Sequence, residues 1–300
     1  MTLETDYFRD MLRIRRFEET VLDEFKRGIF SGTTHTSLGQ EANAVGVIRQ
    51  LLSDDVIVTN HRCHGHFLAY GGDMRALFAE LMGKSTGVCG GRGGSQHIHW
   101  KNLYSNGVQG GIVPIAAGMA LAEKRKGSDA AVVVFIGDGT LGEGVIYEAF
   151  NMASLWQVPL LIVVENNHIA QTTPSRLTLA GDIRRRFHAF SIPSQELDTS
   201  DVVTIASAAF QMMREVHEHC SPRALILNTA RFGPHSKGDD TRSEDEIALL
   251  KAERDPLLIM GKILPADILK TIQVEVEDEV RTAFDLALSD PVAYIEEKTL

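Results

Sequence analysis

The sequence predicts an α/β fold built on a doubly wound, mostly parallel sheet. Two short apolar runs rich in β-branched residues, 130–136 and 160–164, are typical of strands buried on both faces. Between them, residues 145–156 carry apolar side chains at helical spacing, and Pro159 ends that pattern. Because adjacent parallel strands run in one direction, the turns that follow both strands are expected at the same edge of the sheet.

Amphipathic periods and turn residues define the other elements. The predicted helices cover 5–27, 39–52, 73–82, 113–126, 181–190, 202–219, 243–252, 256–263 and 266–288. Further strands are predicted at 55–59 and 223–230. One face of the central helix is expected to carry Val145, Ala149, Met152, Ala153 and Trp156. The simplest organisation is one domain over residues 1–300, with an N-terminal helical arm and residues 243–300 as its helical tail.

Composition excludes several classes of protein. The formal charge is −10 and no basic block occurs, so nucleic acid is not an expected partner. The three cysteines show no CxxC spacing, which favours a reducing compartment. We find no signal peptide, transit peptide or apolar run of membrane-spanning length. A cytoplasmic protein that does not enter the membrane is therefore expected.

The turns after the two central strands carry oxygen ligands. Asp138 lies between Gly137 and Gly139, and Asn167 follows the second strand. Carboxylate and amide oxygens suit Mg²⁺, which completes its octahedron from phosphates and water, and glycines let the backbone approach a phosphate. Either turn alone is an ordinary connection. Together, on consecutive strands, they predict a metal–phosphate site.

Other polar groups follow predicted strands or lie in a glycine-rich passage without clear period, Gly83 to Gly111. They are the segments His61-Arg62-Cys63-His64, Gly107-Val108-Gln109-Gly110 and His235-Ser236. In a doubly wound sheet these segments can converge on one edge. An arginine there suits a bidentate contact with a diphosphate, and a histidine suits proton transfer.

A different interpretation groups the histidines into a zinc or iron site. The candidates are His35, His61, His64, His66, His97 and His99. It is disfavoured because a glycine-rich loop fixes metal ligands poorly. Cys63 and Cys89 are interpreted as packing residues, and the run 184–186 of arginines as a solvated helix face.

The central segment, GDGTLGEGVIYEAFNMASLWQVPLLIVVENN, resembles the thiamine diphosphate motif of GDG followed by a helix, a strand and NN. The amino-acid sequence of this segment is similar to that of the α subunit of the decarboxylating component of 2-oxo acid dehydrogenase complexes, in the pyruvate, acetoin and branched-chain group. Other segments match that family in order: IRRFEETVLDEFKRG, GTTHTSLGQEA, HRCHGH, CGGRGGSQH, NGVQGGIVPIAAGMALA and RFGPHSKGDDTR. The resemblance covers roughly residues 10–260 and implies the thiamine diphosphate-binding fold.

The resemblance also implies a role for each matching position. Asp138, Asn167 and the carbonyl of Ile169 would hold Mg²⁺, and the residues that would contact the cofactor are His61, Arg62, Gly107, Gln109, Gly137, Gly139 and His235. Arg62 would meet the diphosphate, and Gly107 and Gln109 the aminopyrimidine. The implied catalytic residues are His235, His64 and His35.

The implied reaction decarboxylates a 2-oxo acid and transfers the acyl group to a lipoyl acceptor. In this family a separate β subunit supplies the glutamate that activates the cofactor. Glu41, Glu143 and Glu165 lie inside the matched α motifs and are not candidates for it. The resemblance thus implies an α₂β₂ heterotetramer and allows a lipoyl acyltransferase as a further partner.

Departures from the family pattern leave the substrate open. Gln109 stands where many relatives carry a branched apolar residue. An alternative is therefore a two-chain decarboxylase or carboligase that forms acyloins or aldehydes without lipoyl transfer. A cofactor-free regulatory relative is the other alternative, and the intact pair Asp138 and Asn167 disfavours it.

Overall fold

The computed structural model describes residues 2–30, 32–236 and 238–294. The main sheet consists of β1 (Val56–Thr59), β2 (His99–Trp100), β3 (Leu103–Ser105), β4 (Val132–Gly137), β5 (Leu160–Asn166), β8 (Ser194–Asp198) and β9 (Arg223–Asn228). Its strand order is β2-β3-β1-β4-β5-β9-β8, and only β2 and β3 pair antiparallel. A separate hairpin is formed by β6 (Ile169–Ala170) and β7 (Thr173–Pro174). The predicted mostly parallel sheet is confirmed.

The helices are α1 (Leu3–Phe25), α2 (Glu41–Ile48), α3 (Cys63–Ala69), α4 (Met74–Leu81), α5 (Ile112–Lys126), α6 (Gly144–Leu155), α7 (Ile183–His188), α8 (Val202–His219), α9 (Glu244–Arg254), α10 (Pro256–Gly261) and α11 (Ala266–Ser289). Side-chain caps define several of the starts. Asp201 accepts from the amides of Val203 and Thr204 at α8, and Ser243 forms a capping box with Glu246 at α9. The predicted N-terminal arm and C-terminal helices are confirmed.

The sheet is covered on both faces, as a doubly wound fold requires. Alternate residues of β4 face two different cores: Val133 and Phe135 pack with α1, α2, α8 and α11. Val132 and Val134 pack with α5, α6 and α7. This double burial explains why the central strands read as continuous apolar runs.

The two ends of the chain pack against each other. Helix α1 lies against α11, and Arg13 forms a bidentate ion pair with Glu279 at 2.8 to 3.0 Å. Arg9 forms an ion pair with Glu275, and Arg16 forms one with Glu277. Within the described ranges, no helix combines the length and the apolar character needed to cross a membrane.

Burial divides the five residues that were predicted to share one face of α6. Ala149 and Ala153 are buried as expected, together with Ile146 and Phe150. Val145, Met152 and Trp156 are instead 37 to 41% exposed. The helix is apolar around most of its circumference, so the spacing of its apolar residues does not by itself determine which of them are buried.

Two further segments differ from the prediction. Helix α3 begins at Cys63, so the segment after β1 turns inward at once and carries His64 into the core. The glycine-rich passage contains β2 and β3, which extend the sheet beyond β1. Strand β8, with the sequence SQELD, was not predicted, because an edge strand can remain polar on both sides.

Candidate active site

A cavity of about 250 Å³ opens at the carboxyl ends of the central strands. It lies beside the point where the strand order reverses, since β1 pairs with β3 on one side and with β4 on the other. In open α/β sheets such a switch point forms the ligand crevice. The wall includes polar residues that follow β1, β4, β5 and β9: Asn60, His61, Arg62, Asp138, Asn167 and His235. The predicted convergence of these segments on one edge is thus present.

The turn after β4 places a carboxylate in this cavity. Asp138 is only 2% exposed, and the hydroxyl of Ser175 donates a short hydrogen bond to its Oδ2. Burial raises the pKa of Asp138 above its ordinary value of 3.8. Asn167 lies nearby, and its Oδ1 accepts from the amide of Ile169 at 3.3 Å. Among the described residues no arginine or lysine hydrogen-bonds to Asp138, and such a buried carboxylate is well suited to a metal ion.

The glycines of this edge differ in what they allow. A Cβ on Gly139 would lie 2.8 Å from the Cβ of Ala170, so the turn packs tightly on β6. Gly137 lines the cavity and has open space at that position. The described residues therefore set no steric limit on a side chain at Gly137, and its role beside a phosphate stays a prediction.

Arg62 contributes a buried guanidinium to the opposite wall. Its Nη1 donates to the carbonyl of Thr36 at 2.6 Å, and its Nη2 donates to the carbonyl of His235 at 3.3 Å. Burial, and then the charge of Arg231, lower the pKa of Arg62 to about 9. Two positive charges held close together in a buried site favour a nearby anion.

Arg231 is the residue that sequence reasoning missed. It follows β9 and is 1% exposed. Its Nη2 donates to the carbonyl of Gln171, a cavity residue, at 3.4 Å. Its Nε and Nη1 have no hydrogen-bond partner among the described residues. Burial, followed by the charge of Arg242, lowers its pKa to about 10. The only available signal was its position in the RFGPHSK segment at a strand end.

Three imidazoles form a cluster above these arginines. The ring centroid of His35 lies 4.6 Å from that of His61 and 4.8 Å from that of His235. Burial, and then Arg62, lower the pKa of His35 to about 3, that of His235 to about 4, and that of His61 well below 6.5. At neutral pH each ring is therefore uncharged and can both donate and accept a proton.

Of the cluster, His61 and His235 line the cavity, and His35 lies behind them in ring contact with both. His64 does not line the cavity either. It is fully buried, with Nδ1 3.1 Å from Oε2 of Glu18 and Nε2 3.1 Å from Oγ of Ser95. Gly107 also lies outside the lining, but the carbonyl of Gly107 accepts from the side chain of Gln109, which does line it.

Two carboxylates of the cavity already have partners. Glu143 accepts from the amide of Gly110 at 2.9 Å and so ties the loop after β3 to the start of α6. Glu165 accepts from Asn43 at 3.2 Å and Asn60 at 3.4 Å. Burial raises the pKa of Glu165, but the charge of His66 and these hydrogen bonds outweigh it and lower the pKa overall.

Residues 9–296 match the family model described as dehydrogenase E1 component. This chain belongs to that family. It is 36% identical to the pyruvate dehydrogenase E1 component subunit alpha of Rhizobium meliloti (strain 1021), over 95% of this chain and 85% of that protein. It is 35% identical to the subunit of the same name from Zymomonas mobilis, over 97% of this chain and 86% of that protein. The human testis-specific mitochondrial form is 34% identical, over 97% and 77%.

The family match confirms the predicted assignment. The chain is an alpha subunit of a thiamine-diphosphate-dependent 2-oxo acid dehydrogenase. These relatives favour the dehydrogenase over the carboligase, because the relatives reported above are named as dehydrogenase subunits.

The residues of this dehydrogenase fit the cofactor that its family implies. The buried carboxylate of Asp138 offers an anionic ligand for a cation. Two donors of Arg231 have no partner in the described part of the chain, and with the guanidinium of Arg62 they offer a place for negative charge. A cation that carries a diphosphate satisfies both demands in one ligand.

Proposed function

We propose that this subunit binds Mg²⁺ and thiamine diphosphate in the cavity and decarboxylates a 2-oxo acid after assembly with a β subunit. The observation that carries the proposal is the juxtaposition of one buried carboxylate, Asp138, with two buried guanidiniums, Arg62 and Arg231, at the switch point of the sheet. Buried charges of this kind are costly unless a ligand compensates them.

In this proposal Asp138, Asn167 and the carbonyl of Ile169 hold Mg²⁺, and Gly137 and Gly139 line the metal–diphosphate site. Arg62 and Arg231 bind the diphosphate oxygens. Gly107 and Gln109 contact the aminopyrimidine from the loop after β3, an arrangement supported by the position of Gln109 in the cavity wall.

When bound, thiamine diphosphate supplies a carbon nucleophile for the 2-oxo carbon and an electron sink for the pair left by CO₂. The protein supplies positioning and protons. His35 and His235 are the proposed proton donors and acceptors, and His61 contacts the cofactor beside them. Their lowered pKa values keep all three neutral at pH 7, which preserves both roles. His64 is assigned a place behind the substrate, held by Glu18 and Ser95.

The activating glutamate of the cofactor is proposed to come from the β subunit, in an α₂β₂ heterotetramer. The support is that the cavity carboxylates Glu143 and Glu165 already accept hydrogen bonds from this chain. A lipoyl acyltransferase is the proposed further partner. Residues 1–300 would act as one cofactor-binding domain, and the free cysteines suit a reducing compartment such as the cytoplasm.

The test is to co-purify this chain with its β subunit and measure thiamine diphosphate binding by calorimetry, with Mg²⁺ and with EDTA. We expect binding only with Mg²⁺. CO₂ release from pyruvate, 2-oxobutyrate and 3-methyl-2-oxobutanoate is then measured for the pair and for each chain alone. Turnover that requires both chains supports the proposal. Equal turnover by the isolated α chain contradicts it.

The acyl acceptor is tested separately with a lipoyl domain. Acylation of the domain in proportion to CO₂ release supports lipoyl transfer. Accumulation of acyloin with an unmodified lipoyl domain would establish the carboligase instead.

A further inference from the structure

The glycine-rich loop after α4 is wound around one buried carboxylate. Glu80 is 1% exposed, and its two oxygens accept four backbone amide hydrogens. Oε2 accepts from Cys89 at 2.6 Å and Gly91 at 2.9 Å. Oε1 accepts from Gly93 at 2.6 Å and Gly94 at 3.1 Å. Charge-assisted hydrogen bonds of this number fix a loop that has no regular structure of its own.

The glycines of this loop are required by close contacts. A Cβ on Gly91 would lie 2.5 Å from the carbonyl oxygen of Lys84, and one on Gly93 would lie 2.1 Å from that of His97. Neither neighbour is a flexible side-chain end, so the backbone path admits no side chain at these two positions. This backbone path around Glu80 therefore requires glycine at both positions.

The fixed loop delivers two side chains toward the histidines. Ser95 directly follows Gly94, and its hydroxyl oxygen lies 3.1 Å from Nε2 of His64. The carboxamide of Gln96 lies between His35 and the loop after β3. Its Nε2 is 3.3 Å from Nδ1 of His35, and its Oε1 occupies the space where a Cβ on Gly107 would be.

The contact between Gln96 and His35 favours one tautomer of the imidazole. With the amide nitrogen of Gln96 facing the ring, Nδ1 of His35 accepts, since an amide nitrogen can only donate. A neutral imidazole has one proton, and with Nδ1 accepting, that proton is on Nε2. His35 is neutral because burial, and then Arg62 and His235, hold its pKa far below neutral pH.

We propose that Gln96 is a positioning residue that selects the Nε2–H tautomer of His35, and that the loop held by Glu80 keeps it in place. The inference deepens the proposed function, on which it rests, by assigning His35 as a hydrogen-bond donor through Nε2 toward the substrate. Gln96 itself acts through His35 rather than through the substrate.

The first test reads the tautomer directly and needs no substrate. Long-range ¹H–¹⁵N correlation spectra are recorded on the full chain labelled with [¹⁵N]histidine, and His35→Gln identifies the His35 signals. We expect the Nε2–H pattern in the wild type and the Nδ1–H pattern in Gln96→Glu, where the carboxylate can only accept. An Nδ1–H pattern in the wild type overturns the proposal.

The second test is kinetic and uses the assembled α/β pair, with the 2-oxo acid that the wild type decarboxylates fastest. Gln96→Met keeps the length of the side chain and removes the hydrogen bond. We expect kcat to fall at least about tenfold. This loss should be smaller than the ~10²–10⁴-fold that a proton-transfer group itself contributes. KM and the Kd for thiamine diphosphate should change less than about twofold, because Gln96 does not itself line the cavity.

Gln50→Met is the matched control. Gln50 is also half-buried, and it donates to the hydroxyl of Tyr7 away from the cavity. Its kcat should equal that of the wild type. An unchanged kcat in Gln96→Met, or a proportional rise in the cofactor Kd, overturns the positioning role.

The pH profile adds a readout that a purely structural role would not move. The charged or titratable groups facing His35 are Arg62, His61, His64, His235 and Asp239. Gln96→Glu adds a negative charge beside this set, so the pKa of His35 rises. The acid limb of kcat should then move to higher pH, and an unchanged limb contradicts the proposal. A wild-type pair without turnover would instead refute the proposed function, and the tautomer result would still stand.

Discussion

Two buried charged groups in this protein are treated in opposite ways. Glu80 has all its hydrogen bonds supplied by the chain, from four backbone amides. Arg231 is just as buried, yet two of its guanidinium nitrogens have no partner among the described residues. A satisfied buried charge stabilises a local structure, whereas an unsatisfied one costs free energy until a ligand arrives. The difference separates a structural carboxylate from a binding guanidinium.

Asp138 is the proposed metal ligand and belongs with Arg231 among the groups proposed to bind the cofactor, and its removal should have the largest effect. We expect Asp138→Ala to weaken Mg²⁺-dependent binding of thiamine diphosphate by at least about 10³-fold, because the metal loses its anionic ligand. The circular dichroism spectrum should not change, since the residue ends a strand. Asp182→Ala, at the exposed start of α7, is the control. Retained affinity in Asp138→Ala would refute the assigned role.

Glu80 represents the structural side. We expect Glu80→Ala to lower the free energy of unfolding by at least about 3 kcal/mol, because several buried amides lose their acceptor at once. Chemical denaturation of the chain measures this. Glu218→Ala, a half-exposed pair with Arg214, should change stability by less than about 0.5 kcal/mol. If Glu80→Ala were as stable as that control, Glu80 would not organise the loop.

Arg231→Met should weaken cofactor binding without lowering the stability of the ligand-free chain. Without ligand, the melting temperature should stay equal or rise, because an under-satisfied buried charge is removed. The Kd for thiamine diphosphate with Mg²⁺ should rise by about 10- to 100-fold, as expected for lost hydrogen bonds to a charged group. Arg214→Met on the surface of α8 is the control. A lower melting temperature with an unchanged Kd would move Arg231 to the structural side.

The histidines should produce the smallest effect, through pH. The pKa values of His35 and His235 are about 3 and about 4 in the folded chain, below the ordinary 6.5. At a pH between the folded and the unfolded pKa of each histidine, the unfolded chain binds a proton that the folded chain does not. Stability is therefore complete above pH 6.5 and decreases as the pH falls toward 4.

This pH effect can be isolated by comparing the wild type with the variant His35→Asn/His235→Asn. Asp138, whose pKa is raised, contributes with the opposite sign, since the folded carboxyl retains its proton above 3.8. That contribution is present in both proteins and cancels. The melting temperature of the wild type should fall more between pH 7.5 and 5 than that of the variant. Parallel curves would mean that the histidines are not neutral in the folded chain.

Much of the fold was predictable because its signals are local. Helix α8 has the predicted bounds, since an aspartate cap and a long apolar period define it. Strands β4 and β5 were recognisable because they are apolar on both faces. Strand β8 was not, because its pairing with β9 depends on partners distant in sequence.

The site was predictable where a residue type and a strand end coincide, as at Asp138 and Arg62. It was not predictable where burial decides the role. Arg231 is one arginine among many until its unpartnered nitrogens are known. The inward position of His64 follows from the start of α3, which no spacing in the HRCHGH segment revealed.

The ion pairs that join α1 to α11 have a consequence for how the chain folds. Helix α1 is made first, but its partner residues, such as Glu279, are separated from Arg13 by most of the polypeptide. Contacts of such long sequence separation slow folding and leave apolar surface uncovered meanwhile. On the ribosome, the part of α1 that packs on α11 stays uncovered until that helix has emerged. We expect this apolar surface to make the nascent chain a target for chaperones.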